Sequence, residues 1–143
     1  MHNYTEKELI ELGYELENAK ITAVSLTMGN YGCLTSWLVL NGSGWATSYG
    51  GRCLGHGYLG SKEFTGSPNG IEYLMRIMDV AGVESWGDLK NKYVRVATKG
   101  WGDSVKIIGN LIDDRWFDSD SFFADAEETD IGRNKESQRS EEE

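Results

Sequence analysis

Residues 20–54 read KITAVSLTM-GNYG-CLTSWLVL-NGSG-WATSYGGRCL, and this stretch decides the fold. In 20–28, Val24, Leu26 and Met28 alternate imperfectly with Thr22, Ser25 and Thr27, as a half-buried strand would. Gly29-Asn30-Tyr31-Gly32 is a turn. Residues 33–40 form a second strand, whose near-continuous apolar end suits a central position covered on both faces. A second turn, Asn41-Gly42-Ser43-Gly44, leads into a third strand over 45–54, where Gly50-Gly51 marks a bulge or a close backbone approach. Three strands joined by short turns predict an antiparallel meander.

Upstream, Thr5-Glu6-Lys7-Glu8 reads as a capping box, so a short helix is expected over 6–12, ended by Gly13. Glu6, Glu8, Glu11, Glu15 and Glu17 stand against Lys7 alone, which predicts a solvated acidic helix face. Downstream, residues 55–70 hold five glycines and no period, and read as a long loop. Ser67 as N-cap and Pro68 at the first helical position then open the main helix, which Gly82 ends. Ile71, Leu74, Met75 and Met78 are its expected buried stripe, leaving Ile77 and Val80 off it. Ser85-Trp86-Gly87-Asp88 starts a further short turn. Residues 93–97 and 104–112 are two more strands, and Asp113–Phe123 a last turn pinned by aromatic residues.

The chain of 143 residues, 39% of them hydrophobic, suffices for one core. The predicted architecture is α+β: an antiparallel sheet of about five strands packed by one main helix, with a short N-terminal helix. Residues 1–123 form the expected domain and 124–143 a disordered acidic tail. The net charge of −9 is uneven: the tail carries eight acids and three bases, a net −5 that leaves −4 on the domain. An acidic surface repels a phosphate backbone at long range, so duplex nucleic acid is not an expected partner. No run approaches the length of a membrane span, and the first residues show no secretory pattern, which points to the cytoplasm.

Catalytic and metal-binding patterns are sparse. The four Cys/His residues are Cys33, Cys53, His2 and His56, with no pair read at ligand spacing, so two reduced thiols and no metal or other cofactor are expected. No nucleophile elbow surrounds Ser48, Cys33 or Cys53 as a partner for His56. Asp113, Asp114, Asp118 and Asp120 form a carboxylate cluster without the calcium-loop pattern. Gly55-His56-Gly57-Tyr58-Leu59-Gly60 matches the dinucleotide fingerprint as a string, but no strand–helix unit surrounds it.

One segment stands out. Residues 42–60 interleave glycines with Trp45, Tyr49, Arg52, His56 and Tyr58, and Arg95 and Arg115 could add anion contacts. Glycine admits a ligand to the backbone, aromatic rings stack on bases, and arginine pairs with phosphate. These seven residues are the candidate ligand-binding set. The competing reading puts Trp45 and Tyr49 in the core and Arg52 on the surface.

GNYGCLTSWLVL, YGGRCLGHGYLG, GIEYLMRIMDVAGVESWGDLKNKYVRV and the ending WFD resemble small uncharacterised phage and prophage proteins, over about residues 18–118. The resemblance implies counter-defence in the host cytoplasm. It implies first a sponge, an oligomer that sequesters a cyclic nucleotide immune signal without cleaving it. The alternative is an acidic protein of the anti-CRISPR kind that docks on a host defence protein. A small nucleotide hydrolase or lyase using His56 is the third reading. A homo-oligomer is expected from uncovered sheet edges and from Ile77 and Val80.

Overall fold

A computed structural model describes residues 1–100, 102 and 104–127. Two sheets and three helices make up the fold. The strands are β1 (Glu15–Met28), β2 (Leu34–Gly42), β3 (Trp45–Gly50), β4 (Gly55–Gly57), β5 (Phe64–Gly66), β6 (Tyr93–Thr98), β7 (Ile107–Gly109) and β8 (Trp116–Asp118). The main sheet has six strands in the order β3-β2-β1-β6-β7-β8, antiparallel throughout, and β4 and β5 form a separate hairpin. The helices are α1 (Glu6–Glu11), α2 (Pro68–Ala81) and α3, described over 119–127.

The meander forms as its alternation predicts, but β1 starts earlier than residue 20. Glu15 and Glu17 belong to this strand rather than to a helix face, and point outward while Leu16 packs inward. β1 changes neighbour along its length: Glu15–Lys20 pair with β6 and Lys20–Met28 with β2. The β2 register shifts between Ile21 and Ala23, where the Thr22 hydroxyl accepts from Asn41 Nδ2 at 2.5 Å. β3 stops at Gly50 because Gly50 and Gly51 take φ +126° and +89°, and a Cβ on Gly50 would strike the Ser36 carbonyl.

α2 begins and ends where its sequence signals place it. Ser67 Oγ accepts from Gly70 N at 3.1 Å, and Gly82 closes the helix in the left-handed conformation. Its buried face is turned from the predicted one, with Leu74 and Met78 of that stripe packing partly buried at the margin of the core. Tyr73, Ile77, Val80 and Ala81 face the core, whereas Ile71 and Met75 are exposed. Gly70 decides between the two faces, since its bare Cα lets the helix lie on Leu54, and a Cβ there would stand 3.0 Å from Leu54 atoms. The core joins α2 to Ile21, Leu38, Leu40, Val94, Val96 and Ile108, with Phe117 and Phe123 against the Tyr73 ring and Phe122 packed on both of them. Burying such side chains stabilises by roughly 1.5–3 kcal/mol each. On the opposite face Leu9 of α1 packs on Ala97, Ile107 and Trp116.

The segment expected to be a single long loop contains the β4–β5 hairpin, and the expected last turn contains β8. Asp118 Oδ1 accepts from Ser121 N at 3.2 Å and so caps α3. Residues 124–127, assigned to the tail by composition, continue α3 behind the buried Phe122 and Phe123. The rest of the expected tail, 128–143, lies outside the described residues. Among the described residues no helix is long and apolar enough to cross a membrane.

Candidate functional site

The seven sequence-read residues do not converge on one pocket. Tyr49 is 2% exposed in the core, its ring stacked 6.5 Å from that of Tyr73. Burial drives both phenols upward, Tyr49 well above the usual tyrosine range and Tyr73 to about 12, while neighbouring hydroxyls, Ser36 among them, partly offset the rise at Tyr73. Trp45 is half-buried, its indole lying across Gly42.

The arginines are committed within the fold. Arg52 donates to Asp120 Oδ1 at 3.1 Å and stacks 4.5 Å over Phe123. Arg95 donates to the carbonyls of Asn110 (2.8 Å) and Asp113 (3.0 Å), pairs with Glu6 at 3.3 Å and stacks 4.5 Å over Trp116. It is a structural rivet joining α1, β6 and the 110–115 turn. Arg115 pairs with Asp79 at 3.4 Å and Asp113 at 3.7 Å. Tyr58 is exposed, its ring beside Gly32.

The carboxylates are dispersed in the same way. Asp114 Oδ1 accepts from Glu6 N at 2.7 Å and from Trp116 Nε1 at 2.8 Å. Asp120 meets Lys106 at 2.9 Å, and the Lys106 hydrogen bond, against some burial and with help from Arg52, holds its carboxyl below the usual range. Asp113 and Asp114 thus serve an ion pair and the start of α1, while Asp118 caps α3 beside the ion-paired Asp120.

Two arrangements were not read from the sequence. The first is a pair of adjoining clefts that share Thr98, Gly102 and Ser104. The larger, about 540 Å³, is lined by Tyr14, Lys99, Lys106, Asp118 and Asp120. The smaller, about 380 Å³, is lined by Trp45, Ala46, Thr47, Glu15 and Glu17. These volumes lie in the range of small-ligand pockets. Lys99 stands 4.7 Å over the Tyr14 ring. Of the sequence-read set only Trp45 lines these clefts. The alternation of Tyr14 and Leu16 with Glu15 was the available signal that this segment is strand.

The second arrangement corrects the reading of the cysteines. Cys33 and Cys53 are not two separate thiols: they are joined as a disulfide, Cα–Cα 5.3 Å apart. Both lie beyond the β2–β3 ladder, which ends at Trp37 and Gly50, and they are held near each other by the hydrogen bond from Leu54 N to the Leu34 carbonyl at 2.8 Å. His56 also belongs here. It forms a backbone bridge with Cys33, and its Nδ1 lies 3.8 Å from both sulfurs. The ligand atoms of Cys33, Cys53 and His56 all lie within 4.8 Å of one another. His56 thus faces sulfur rather than a serine nucleophile. Compared with protein-family models, with curated proteins and with solved structures, the chain matches none of them.

Proposed function

We propose that the protein binds a small nucleotide-type ligand in the double cleft beside Thr98 and Ser104, and releases it unchanged. The observation that carries this reading is the lining of two clefts with shared walls: aromatic rings, two ammonium groups and hydroxyls. Trp45 offers a face for a base to stack on, while the Tyr14 ring holds Lys99 at the wall of the larger cleft. Lys99 attracts phosphate, and Lys106 does so only in exchange for its pairing with Asp120, while Ser104, Thr98 and the second oxygen of Asp118 suit ribose hydroxyls. Across both clefts two lysines stand against four carboxylates, Asp118, Asp120, Glu15 and Glu17, so the site suits a ligand of low charge better than a polyphosphate. A cyclic nucleotide, with one charge per phosphodiester, has that balance. It is also the ligand class that the resemblance to phage proteins implies, which makes sequestration of an immune signal the biological form of this reading.

Calorimetric titration with a panel of cyclic mono- and dinucleotides, ADP-ribose and ATP tests it. We expect a low-charge cyclic nucleotide to bind, and Trp45→Ala to weaken it by about 5- to 150-fold, the loss of one stacked base at roughly 1–3 kcal/mol. The ligand should be recovered intact by mass spectrometry. Absence of binding across the panel at millimolar concentration refutes the cleft, and a converted ligand refutes binding without turnover.

A further inference from the structure

We propose that Cys33, Cys53 and His56 form a redox-gated metal site, which takes a zinc-class ion when the cysteines are thiols and is closed when they are joined. Zinc prefers thiolate and imidazole donors in a tetrahedron, with Zn–S of about 2.3 Å and Zn–N of about 2.0 Å. Those bond lengths set the ligand edges at about 3.5 Å for S···N and about 3.8 Å for S···S. His56 Nδ1 is already 3.8 Å from each sulfur. The two sulfurs must separate from a bond of about 2 Å to an edge of about 3.8 Å, and the ring, whose Nε2 is 3.7 Å from the Cys53 sulfur, must turn to aim Nδ1 at the ion.

The backbone holds the three residues together without help from the sulfur bond. Cys53-Leu54-Gly55-His56 is a Cys-x-x-His pair on one short segment. Leu54 is buried under Gly70, and β4 is paired to β5 through Gly55, His56 and Gly57. Cys33 is tied to the same place by its bridge to His56 and by the Leu54-to-Leu34 hydrogen bond. Reduction removes a covalent link but none of these backbone contacts, so the donors stay preorganised. Among the described residues the recorded polar contacts of the His56 ring are with the two sulfurs. Cys53 and His56 are exposed and Cys33 half-buried, so ion and reductant both have access. The same exposure leaves the fourth tetrahedral position to water.

The chemistry balances with a dithiol as reductant. Two successive thiol–disulfide exchanges break the Cys33–Cys53 bond, yield two cysteine thiols and release the reductant as its own cyclic disulfide. The metal ion then displaces the two thiol protons to solvent and takes the neutral His56 nitrogen as third donor. Metal and disulfide exclude each other because the ion binds thiolates, and oxidation removes their charge and holds the sulfurs too close to span an edge of the tetrahedron.

The experiment uses the full chain, reduced with dithiothreitol, desalted without oxygen and titrated with Co²⁺. We expect one equivalent to bind, with thiolate-to-Co²⁺ charge transfer in the near ultraviolet and d–d bands of four-coordinate intensity, all bleached by Zn²⁺. The oxidised chain should give no such bands. Cys53→Ser should lose much of the charge transfer, and His56→Asn should weaken binding about 10-fold or more while changing the d–d pattern. Replacing an exposed ring leaves the core untouched, so circular dichroism of His56→Asn should match the wild type. A reduced wild type without Co²⁺ bands, a His56→Asn titration like that of the wild type, or unfolding on reduction would each overturn the proposal.

Discussion

Gly109 occupies the middle of the β6-β7-β8 half of the sheet, and replacing it with alanine tests how that half is held together. A Cβ on Gly109 would enter the Trp116 indole, meeting Cε3, Cζ3 and Cδ2, the farthest of them 2.8 Å away. Carbon atoms pack at about 3.5–4.0 Å, so the ring would have to retreat by about 1 Å. It is not free to do so. Its Nε1 donates to Asp114 Oδ1 at 2.8 Å, the Arg95 guanidinium lies 4.5 Å over its centroid, and the residue is 7% exposed. Keeping the ring in place costs about 1–3 kcal/mol of overpacking. Moving it forfeits a hydrogen bond to a charged group, worth about 1.5–3 kcal/mol, and a cation–π contact of about 1–2 kcal/mol. The chain takes the less costly route, so Gly109→Ala should destabilise by about 1–3 kcal/mol. With a urea slope of about 2 kcal/mol/M, the midpoint falls by about 0.5–1.5 M at unchanged slope. Gly66→Ala is the control: it lies on the edge hairpin, its Cβ meets nothing within 4 Å, and it should stay within about 0.5 kcal/mol of wild type. A Gly109→Ala variant equally close to wild type would refute the account of a pinned indole.

Three further outcomes follow from the same contacts. Tyr49 and Tyr73 keep their protons in the folded chain above the ordinary tyrosine pKa of about 10, with Tyr73 raised to about 12, so stability is intact below about pH 10 and falls toward pH 12. Urea midpoints across that window should fall less steeply in Tyr73→Phe, and an unchanged slope would contradict the assignment. Asp120 is depressed by Lys106 and Arg52, so its contribution is present above the unfolded carboxylate pKa of about 3.9 and is lost as acid protonates it. Melting temperatures of Asp120→Asn between about pH 2 and 5 should vary less than those of the wild type, and parallel curves would count against the pairing. Ser67→Ala removes the hydroxyl that caps α2 and should cost about 1 kcal/mol in thermal unfolding, with no loss meaning that another acceptor takes over Gly70 N.

Features with a long period or a strong punctuation signal were legible in the sequence. β2 and β3 declared themselves through alternation between glycine turns, and both ends of α2 through Ser67-Pro68 and Gly82. The buried face of α2 was not, because positions 71, 74, 75 and 78 and positions 70, 73, 77 and 80 both satisfy helical spacing. A packing contact, Gly70 on Leu54, chooses between them. Burial of Ile77 and Val80 also removes one of the two grounds on which an oligomer was expected. β4, β5, β7 and β8 have three residues each, too few to show a period. The arginines announced charge but not partner: Arg52 and Arg95 look available for phosphate until Asp120, Glu6 and two carbonyls are placed beside them. Cys53-x-x-His56 stands at ligand spacing but was passed over in the sequence, and Cys33 reaches it only through its backbone bridge to His56.

The division of β1 between two neighbours has a consequence for the newborn chain. Once Gly50 has emerged from the ribosome, β1, β2 and β3 can pair through sequence-local turns, but Glu15–Ala19 must wait for Tyr93–Thr98, far along the chain. Through that interval one edge of a three-stranded sheet lies open, the geometry by which nascent chains recruit one another. The residues standing on it are Glu15, Glu17, Asn18 and Lys20, whose charges and polarity discourage a second copy from docking. The glutamates that disguise this segment as helix are thereby its guard during synthesis, and replacing both with valine should raise aggregation on refolding more than it changes the folded state.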